Sequence, residues 1–386
     1  MTRALWIVGA LGLVAGCVKP VNDGPGPSNP GVGNVDSTTW SGDVFTPGPS
    51  DLSFVDAETG THFNLAGQAY EGPLADEQVQ LGLLPGMTAF WFAWSTHHPG
   101  ARVWNQGINL DGVVIQGGDC GVPCQEIEAA CFGGRDCIPS IDNPDWTTAD
   151  DTSDLSYLTP DDRVLGIARD GLARAYPLDT LWTHEIVNDS WGDWDFSVTY
   201  CPLTGSGILV DGVQGGQSMR FGVSGNLWNS NLVMYDRETD SLYGQMRQVG
   251  VTGENLGLGL ATAGLVDTTW GEWVAMFPET EVLTERHASN YPYGDYREDH
   301  TNTFRQTNPA PSTLYPNKSY AIGVIGTTET VIWALPELEA EFGTRGIVED
   351  MLGELPVLVA FDAESQTMAV YSRLVDGEER HFEMAP

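Results

Sequence analysis

Val198-Thr199-Tyr200-Cys201-Pro202-Leu203-Thr204-Gly205-Ser206-Gly207 is an apolar, β-type run that ends in a cysteine, stops at a proline and restarts after a small-residue turn. It reads as strand, turn, strand. Just upstream, Leu178 to Val187 carries apolar residues at Leu178, Leu181, Trp182, Ile186 and Val187, the spacing of a short amphipathic helix. Val164–Ala168 and Leu172–Tyr176 flank Arg169-Asp170-Gly171 and read as a hairpin. Further strands are expected at Phe196–Cys201, Gly207–Asp211, Met219–Val223, Leu232–Tyr235 and Leu242–Met246, with a helix from Thr268 to Phe277 stopped by Pro278. The fold class is β-rich α+β, a mixed or antiparallel sheet domain with short helices.

The end of the chain repeats its middle. Val164–Ile167 and Arg174–Leu178 echo Ala321–Val324 and Val331–Leu335; Glu185–Asp189 echoes Gly346–Asp350; Phe196–Cys201 echoes Val357–Asp362; Met219–Phe221 echoes Arg380–Phe382. Four echoes in one order indicate an internal duplication, with halves about 160–250 and 316–386. The copies differ where chemistry would sit, because His184 falls opposite Arg345 and Cys201 opposite Asp362. A looser echo links Trp91, Trp94 and Pro99 with Trp270, Trp273 and Pro278, a spacing that on a helix puts both indoles on one face.

Asp plus Glu outnumber Lys plus Arg 53 to 17, for a net charge of -36. That balance argues against nucleic acid and against polybasic attachment to anionic lipid. Met1 to Gly16 has Arg3, then an apolar run too short to span a bilayer, and reads as a secretory signal. Leu13-Val14-Ala15-Gly16-Cys17 resembles a bacterial lipobox, which implies lipidation at Cys17 and membrane attachment through that lipid. Val18 favours the outer membrane over inner-membrane retention. Residues 17–50 read as a flexible Pro/Gly/Ser tether. Residues 51–137 read as a small β-rich module, or as an N-terminal extension of the main domain, and 138–386 as the duplicated domain. His97 and His98 point to opposite faces of a strand and read as surface or core residues.

Cys120, Cys124, Cys131 and Cys137 lie within 18 residues of each other. In an oxidising compartment they are expected to form two disulfides, with three connectivities open. Their gaps fit a four-thiolate zinc site poorly. Cys201 is then the odd thiol in an exported chain.

The motifs resemble a bacterial and archaeal domain-of-unknown-function family, number thirty-one seventy-nine. The resemblance rests on Ile138–Pro144, Ala173–Pro177, His184–Asp189, Thr199–Leu203, Phe221–Gly225, Asn229–Arg237 and Thr269–Trp273. It implies no established activity. Many members are similar to Cys-Pro-Leu-Cys-Gly at the central motif; here Thr204 replaces the second cysteine, which excludes a dithiol couple within the motif. A Tyr-Arg-Arg-Asp-Tyr-like stretch survives loosely as Tyr293-Gly-Asp-Tyr296.

A strand-end thiol beside a Gly-Ser turn calls for a base. His184 is the expected activator of Cys201, with Glu185, Asn188 or Asp189 orienting the ring. Gly205 and Ser206 form the adjacent turn, and Asn229 and Arg237 are candidate ligand contacts. Cys201 and His184 also suit copper or zinc, with Met234 or His287 completing the set. The expectation is an exported, lipid-anchored envelope protein with thiol-dependent chemistry. The alternatives are a copper- or zinc-binding lipoprotein and a non-catalytic ligand-binding scaffold.

Overall fold

The computed structural model describes residues 36–39, 47–106, 108–110, 126–151, 155–169, 172–214, 216–285 and 290–386. Cys17, Cys120, Cys124 and His287 lie outside the described residues, as does the signal segment. Cys131 and Cys137 are disulfide-bonded to each other.

The elements that position the site are, in chain order, β1 (Phe54–Asp56), α1 (Pro73–Asp76), β2 (Met87–Phe90), α2 (Trp91–His97), β3 (Arg102–Val103), β4 (Arg163–Arg169), β5 (Leu172–Pro177), α3 (Leu178–His184), β6 (Ile186–Trp191), β7 (Trp194–Cys201) and β8 (Ser206–Asp211). They continue through β9 (Phe221–Trp228), β10 (Asn231–Asp236), β11 (Val266–Thr269), α4 (Trp270–Met276), β12 (Glu281–Leu283), β13 (Tyr320–Ile325) and β14 (Thr330–Ala334). The last are α5 (Leu335–Phe342), β15 (Arg345–Leu352), β16 (Leu355–Asp362), β17 (Thr367–Ser372) and β18 (Phe382–Met384). The protein is β-rich, with mixed and antiparallel sheets and short helices. None of the described helices is long and apolar enough to cross a membrane.

The expected hairpin and strands are present, with shifted ends. Helix α3 stops at His184, three residues short of the expected Val187, because Glu185 takes a left-handed conformation (φ 58°, ψ -28°). Ile186 then begins a strand. In β7 every residue from Phe196 onward is buried, as a strand apolar on both faces requires.

The duplication is present, and it is larger than the sequence reading drew it. The series β4, β5, α3, β6, β7, β8 recurs as β13, β14, α5, β15, β16, β17. The hairpins match in register: Ile186 faces Thr199 and Trp191 faces Trp194, as Ile347 faces Ala360 and Leu352 faces Leu355. Asn188 Oδ1 accepts from the Phe221 amide at 3.0 Å, and at the matching position Glu349 Oε1 accepts from the Phe382 amide at 2.9 Å.

The remainder of the second copy comes from the N-terminal segment. Strand β1 pairs with β18, and β2 with β13. In the turn after β10, Asp236 accepts from the Glu238 amide and the Thr239 hydroxyl, and Thr239 bonds Ser241. Asp56 after β1 does the same with Glu58 and Thr59, and Thr59 bonds Thr61. The β2–α2–β3 unit then repeats β11–α4–β12: β11 lies antiparallel to β4 and β12 parallel to β5, as β2 lies antiparallel to β13 and β3 parallel to β14. A Cβ at Gly166 would fall 2.2 Å from the Trp273 ring, and one at Gly323 would fall 2.5 Å from the Trp94 ring. Both glycines let an indole lie against the backbone, and this explains the paired tryptophans.

The fold is therefore a circularly permuted duplication. The 51–137 segment, expected as a small module or an extension of the main domain, is strand-paired into the second copy over its first half. His97 ends the buried helix α2 and His98 is its buried C-cap, so neither lies on a strand. The two copies pack against each other: β17 pairs with β11, and the Phe90 amide donates to the Thr204 carbonyl at 2.9 Å.

Candidate functional site

Cys201 ends β7 with 1% exposure and is the one free cysteine among the described residues. Its Sγ lies 3.8 Å from the Ser230 carbonyl. Burial, and then the neighbouring Glu185 carboxyl, push the thiol up to about 11. At neutral pH it is protonated and shielded.

His184 is not bonded to it. The β6–β7 register, extended by the Tyr200 amide donating to the Glu185 carbonyl, sets His184 across from Cys201. The ring instead turns its Nδ1 to the Pro139 carbonyl at 2.9 Å, leaving Nε2 buried without a partner. The physical reason is the left-handed residue that follows, which redirects the chain between helix and strand.

That residue, Glu185, is the acid beside the thiol. It is 5% exposed, and its carboxyl makes no hydrogen bond among the described residues. Burial pushes it up to about 8, so it is largely neutral at pH 7. A left-handed conformation costs a non-glycine residue roughly 1–2 kcal/mol. The corresponding helix of the second copy is capped by Gly343 at φ 85°, which removes that cost. A buried acid in a left-handed conformation, with no hydrogen-bond partner among the described residues, thus acts on the free thiol.

The connection between the two copies closes the site. Tyr291 donates to the Pro202 carbonyl and Tyr296 to the Leu203 carbonyl, both at 2.8 Å. Tyr293 packs between Tyr291 and Tyr296, and its hydroxyl is raised by burial and, next, by the Glu185 and Cys201 charges. Farther along, the Ser230 hydroxyl donates to the Thr303 carbonyl, and Asn229 and Asn308 exchange two hydrogen bonds at 3.0 and 2.9 Å. Over the second copy the matching place is an open cleft of about 410 Å³ that includes Arg345 and Asp362. These two residues, equivalent to His184 and Cys201, form an ion pair with Nε 2.7 Å from Oδ2.

The other expected site residues serve the framework. Asn188 donates to Asp142 and the Phe221 carbonyl and accepts from Ser197. Asp189 is held by Arg174 at 2.9 Å and by the Tyr176 hydroxyl at 2.6 Å. Gly205, at φ 61°, lets the turn pass the Phe90 ring, which a Cβ would meet at 3.2 Å. Ser206 belongs to a buried network with Thr204, Asn231 and Gln245, in which every hydroxyl and amide is paired. Arg237 bonds Ser140 and pairs with Asp142 at 3.2 Å. Asn229 fastens the connecting segment and faces no vacant ligand position at the thiol. None of the described residues gathers three His, Cys, Asp or Glu side chains able to hold a metal.

A family profile described as protein of unknown function (DUF3179) matches residues 135–385. The chain belongs to that family. The match omits residues 47–110, so the segment that completes the second copy lies outside it. No curated protein and no solved structure matches the chain.

Sequence reasoning cast Glu185 only as an orienter of His184, missed Tyr291, and quoted Tyr296 only as the end of a family motif, with no role at the site. The Tyr293-Gly-Asp-Tyr296 motif was the available signal, since it supplies two of the rings that close the site.

Proposed function

We propose that this DUF3179 protein is exported and lipid-anchored at Cys17, and that its chemistry runs through Cys201 with Glu185 as the proton-handling partner. The observation that carries the reading is Glu185 itself, a buried acid without a bonding partner in a strained conformation, beside the sole free thiol of the described residues. Perturbed acids of this kind concentrate at functional sites.

Closed, the pair is neutral and inert. Displacement of the 291–308 segment hydrates Glu185, whose pKa falls toward 4.5 and whose carboxylate then takes the Sγ proton. The thiolate attacks an electrophilic carbonyl carbon, forming a C–S bond, and Glu185 returns the proton to the leaving group. Export and lipidation rest on the lipobox-like Leu13–Cys17 segment and on the acidic composition.

The test is incubation of the full-length chain with p-nitrophenyl acetate, followed by peptide mass mapping. An acetyl group on Cys201, lost in Cys201→Ser and strongly reduced in Glu185→Gln, supports the reading. Equal Cys201 labelling in Glu185→Gln, or labelling only after unfolding, overturns it.

A second reading is a non-catalytic ligand-binding lipoprotein. It is favoured by the burial of the thiol at 1% exposure and by its raised pKa. The copper- or zinc-binding alternative finds no support in the described donor set.

A further inference from the structure

A cleft of about 530 Å³ opens beside the segment that covers the thiol, and Arg163, Arg297, His300, Lys318 and Tyr320 all line it. The full chain has only 17 Lys and Arg against 53 Asp and Glu, so three of these cations in one cleft is a marked concentration. We propose that this cleft binds a small ligand through a single carboxylate or phosphate group, held by Arg297 and Lys318. The proposal does not rest on the thiol reading.

The cations differ in what already satisfies them. Arg163 is paired with Asp267 at 2.6 Å and donates to the Ser365 carbonyl, so its charge is already balanced. Arg297 has no carboxylate within ion-pair distance among the described residues. It packs against the Tyr291 and Trp182 rings, 4.1 and 5.0 Å from their centroids, and donates to the Tyr200 hydroxyl at 3.3 Å. Its Nε is buried with no partner.

Lys318 is 4% exposed, and its Nζ makes no hydrogen bond. The rings of Tyr296, Phe92 and Phe90 lie 3.1, 4.8 and 5.1 Å from it, and the Asp299 carboxylate favours its charged form without bonding it. Aromatic faces stabilise a cation without neutralising it. Tyr320 lines the same cleft, and its hydroxyl, which makes no hydrogen bond among the described residues, supplies a further donor.

An Arg297 charge held without a carboxylate partner calls for a counter-charge, and an anion beside Lys318 favours its protonated form. An oxyanion seated between Arg297 and Lys318 provides one, with the guanidinium fork fixing its orientation. Exposed Glu298 and Glu339 on the same lining oppose a polyanion and favour a ligand presenting one anionic group.

The probes are sodium acetate and inorganic phosphate, titrated into the full-length chain by calorimetry. Saturable 1:1 binding of phosphate alone assigns a phosphate group; binding of acetate alone assigns a carboxylate. Either affinity is expected to fall at least tenfold in Arg297→Gln and in Lys318→Met. Arg220→Gln, in a different cleft, leaves it unchanged. Where the thermal midpoint drops in Arg297→Gln or Lys318→Met, the charge-keeping Arg297→Lys and Lys318→Arg are expected to restore most of the affinity, and a charge-keeping variant that folds but binds as weakly as the charge-removing one counts against the proposal. Absence of saturable binding for both probes overturns the proposal, as does equal affinity in the wild type and the cleft variants.

Discussion

Glu185 and Cys201 are charge-coupled neighbours in a water-poor site, and the acid approaches the thiol because its backbone is left-handed. Both groups are raised, the acid to about 8 and the thiol to about 11. The arrangement keeps both protons in place at neutral pH. It also ties stability, reactivity and closure to a few residues that can be changed singly.

Glu185 makes the fold less stable as pH rises. Its folded pKa of about 8 lies above the ordinary 4.5, so between those values the native state binds the extra proton. Linkage then requires stability to fall from pH 4.5 to 8, by an amount on the order of 4–5 kcal/mol. Glu185→Gln removes this slope. Urea unfolding at pH 5 and pH 8.5 is expected to show the variant gaining on the wild type at the higher pH.

Lys318 acts in the opposite sense over a higher window. Burial lowers it to about 7 from 10.5, so the unfolded chain binds the extra proton between those values. Its contribution therefore becomes more favourable as pH rises from 7 to 10.5. In Lys318→Met the unfolding midpoint loses that dependence, as urea titrations at pH 7 and pH 10 would show.

Asn229 fastens the segment over the thiol. Asn229→Gly preserves the positive φ of 45° while removing both hydrogen bonds to Asn308. The expected outcome is Cys201 alkylation at least ten times faster at pH 8, with a loss of about 1 kcal/mol in global stability, since each bond contributes modestly. An unchanged alkylation rate would show that other contacts hold the segment shut.

The family-matched segment, residues 135–385, lacks the strands that β13 and β18 pair with. Expressed alone it is expected to show no cooperative thermal transition. A chain including residues 47–110 restores one, and calorimetry of the two distinguishes them.

Much of this fold was legible in local pattern. The hairpin before α3, the buried β7 and the turn at Thr204-Gly205 follow from apolar runs stopped by Pro and Gly. The echoes from Val164 to Phe221 mark real structural equivalences. The permutation escaped because its evidence runs out of chain order: Asp56-Thr59-Thr61 must be laid on Asp236-Thr239-Ser241, and the Trp91–Trp270 echo, legible by itself, stands ahead of the copy it belongs to. At the site, a helix read through to Val187 gives no cue that Glu185 turns back toward the thiol. The closing tyrosines bond main-chain carbonyls, which carry no residue-specific signature.

The most direct test is the rate of Cys201 alkylation by iodoacetamide against pH in wild type, Glu185→Gln and His184→Ala. With Glu185 as the base, the wild-type rate rises through an inflection near 8 that disappears in Glu185→Gln, and His184→Ala keeps it. Electrostatic repulsion alone would make Glu185→Gln faster, because the acid raises the thiol. A Glu185→Gln rate equal to or above the wild type, or loss of the inflection in His184→Ala, would contradict the assignment.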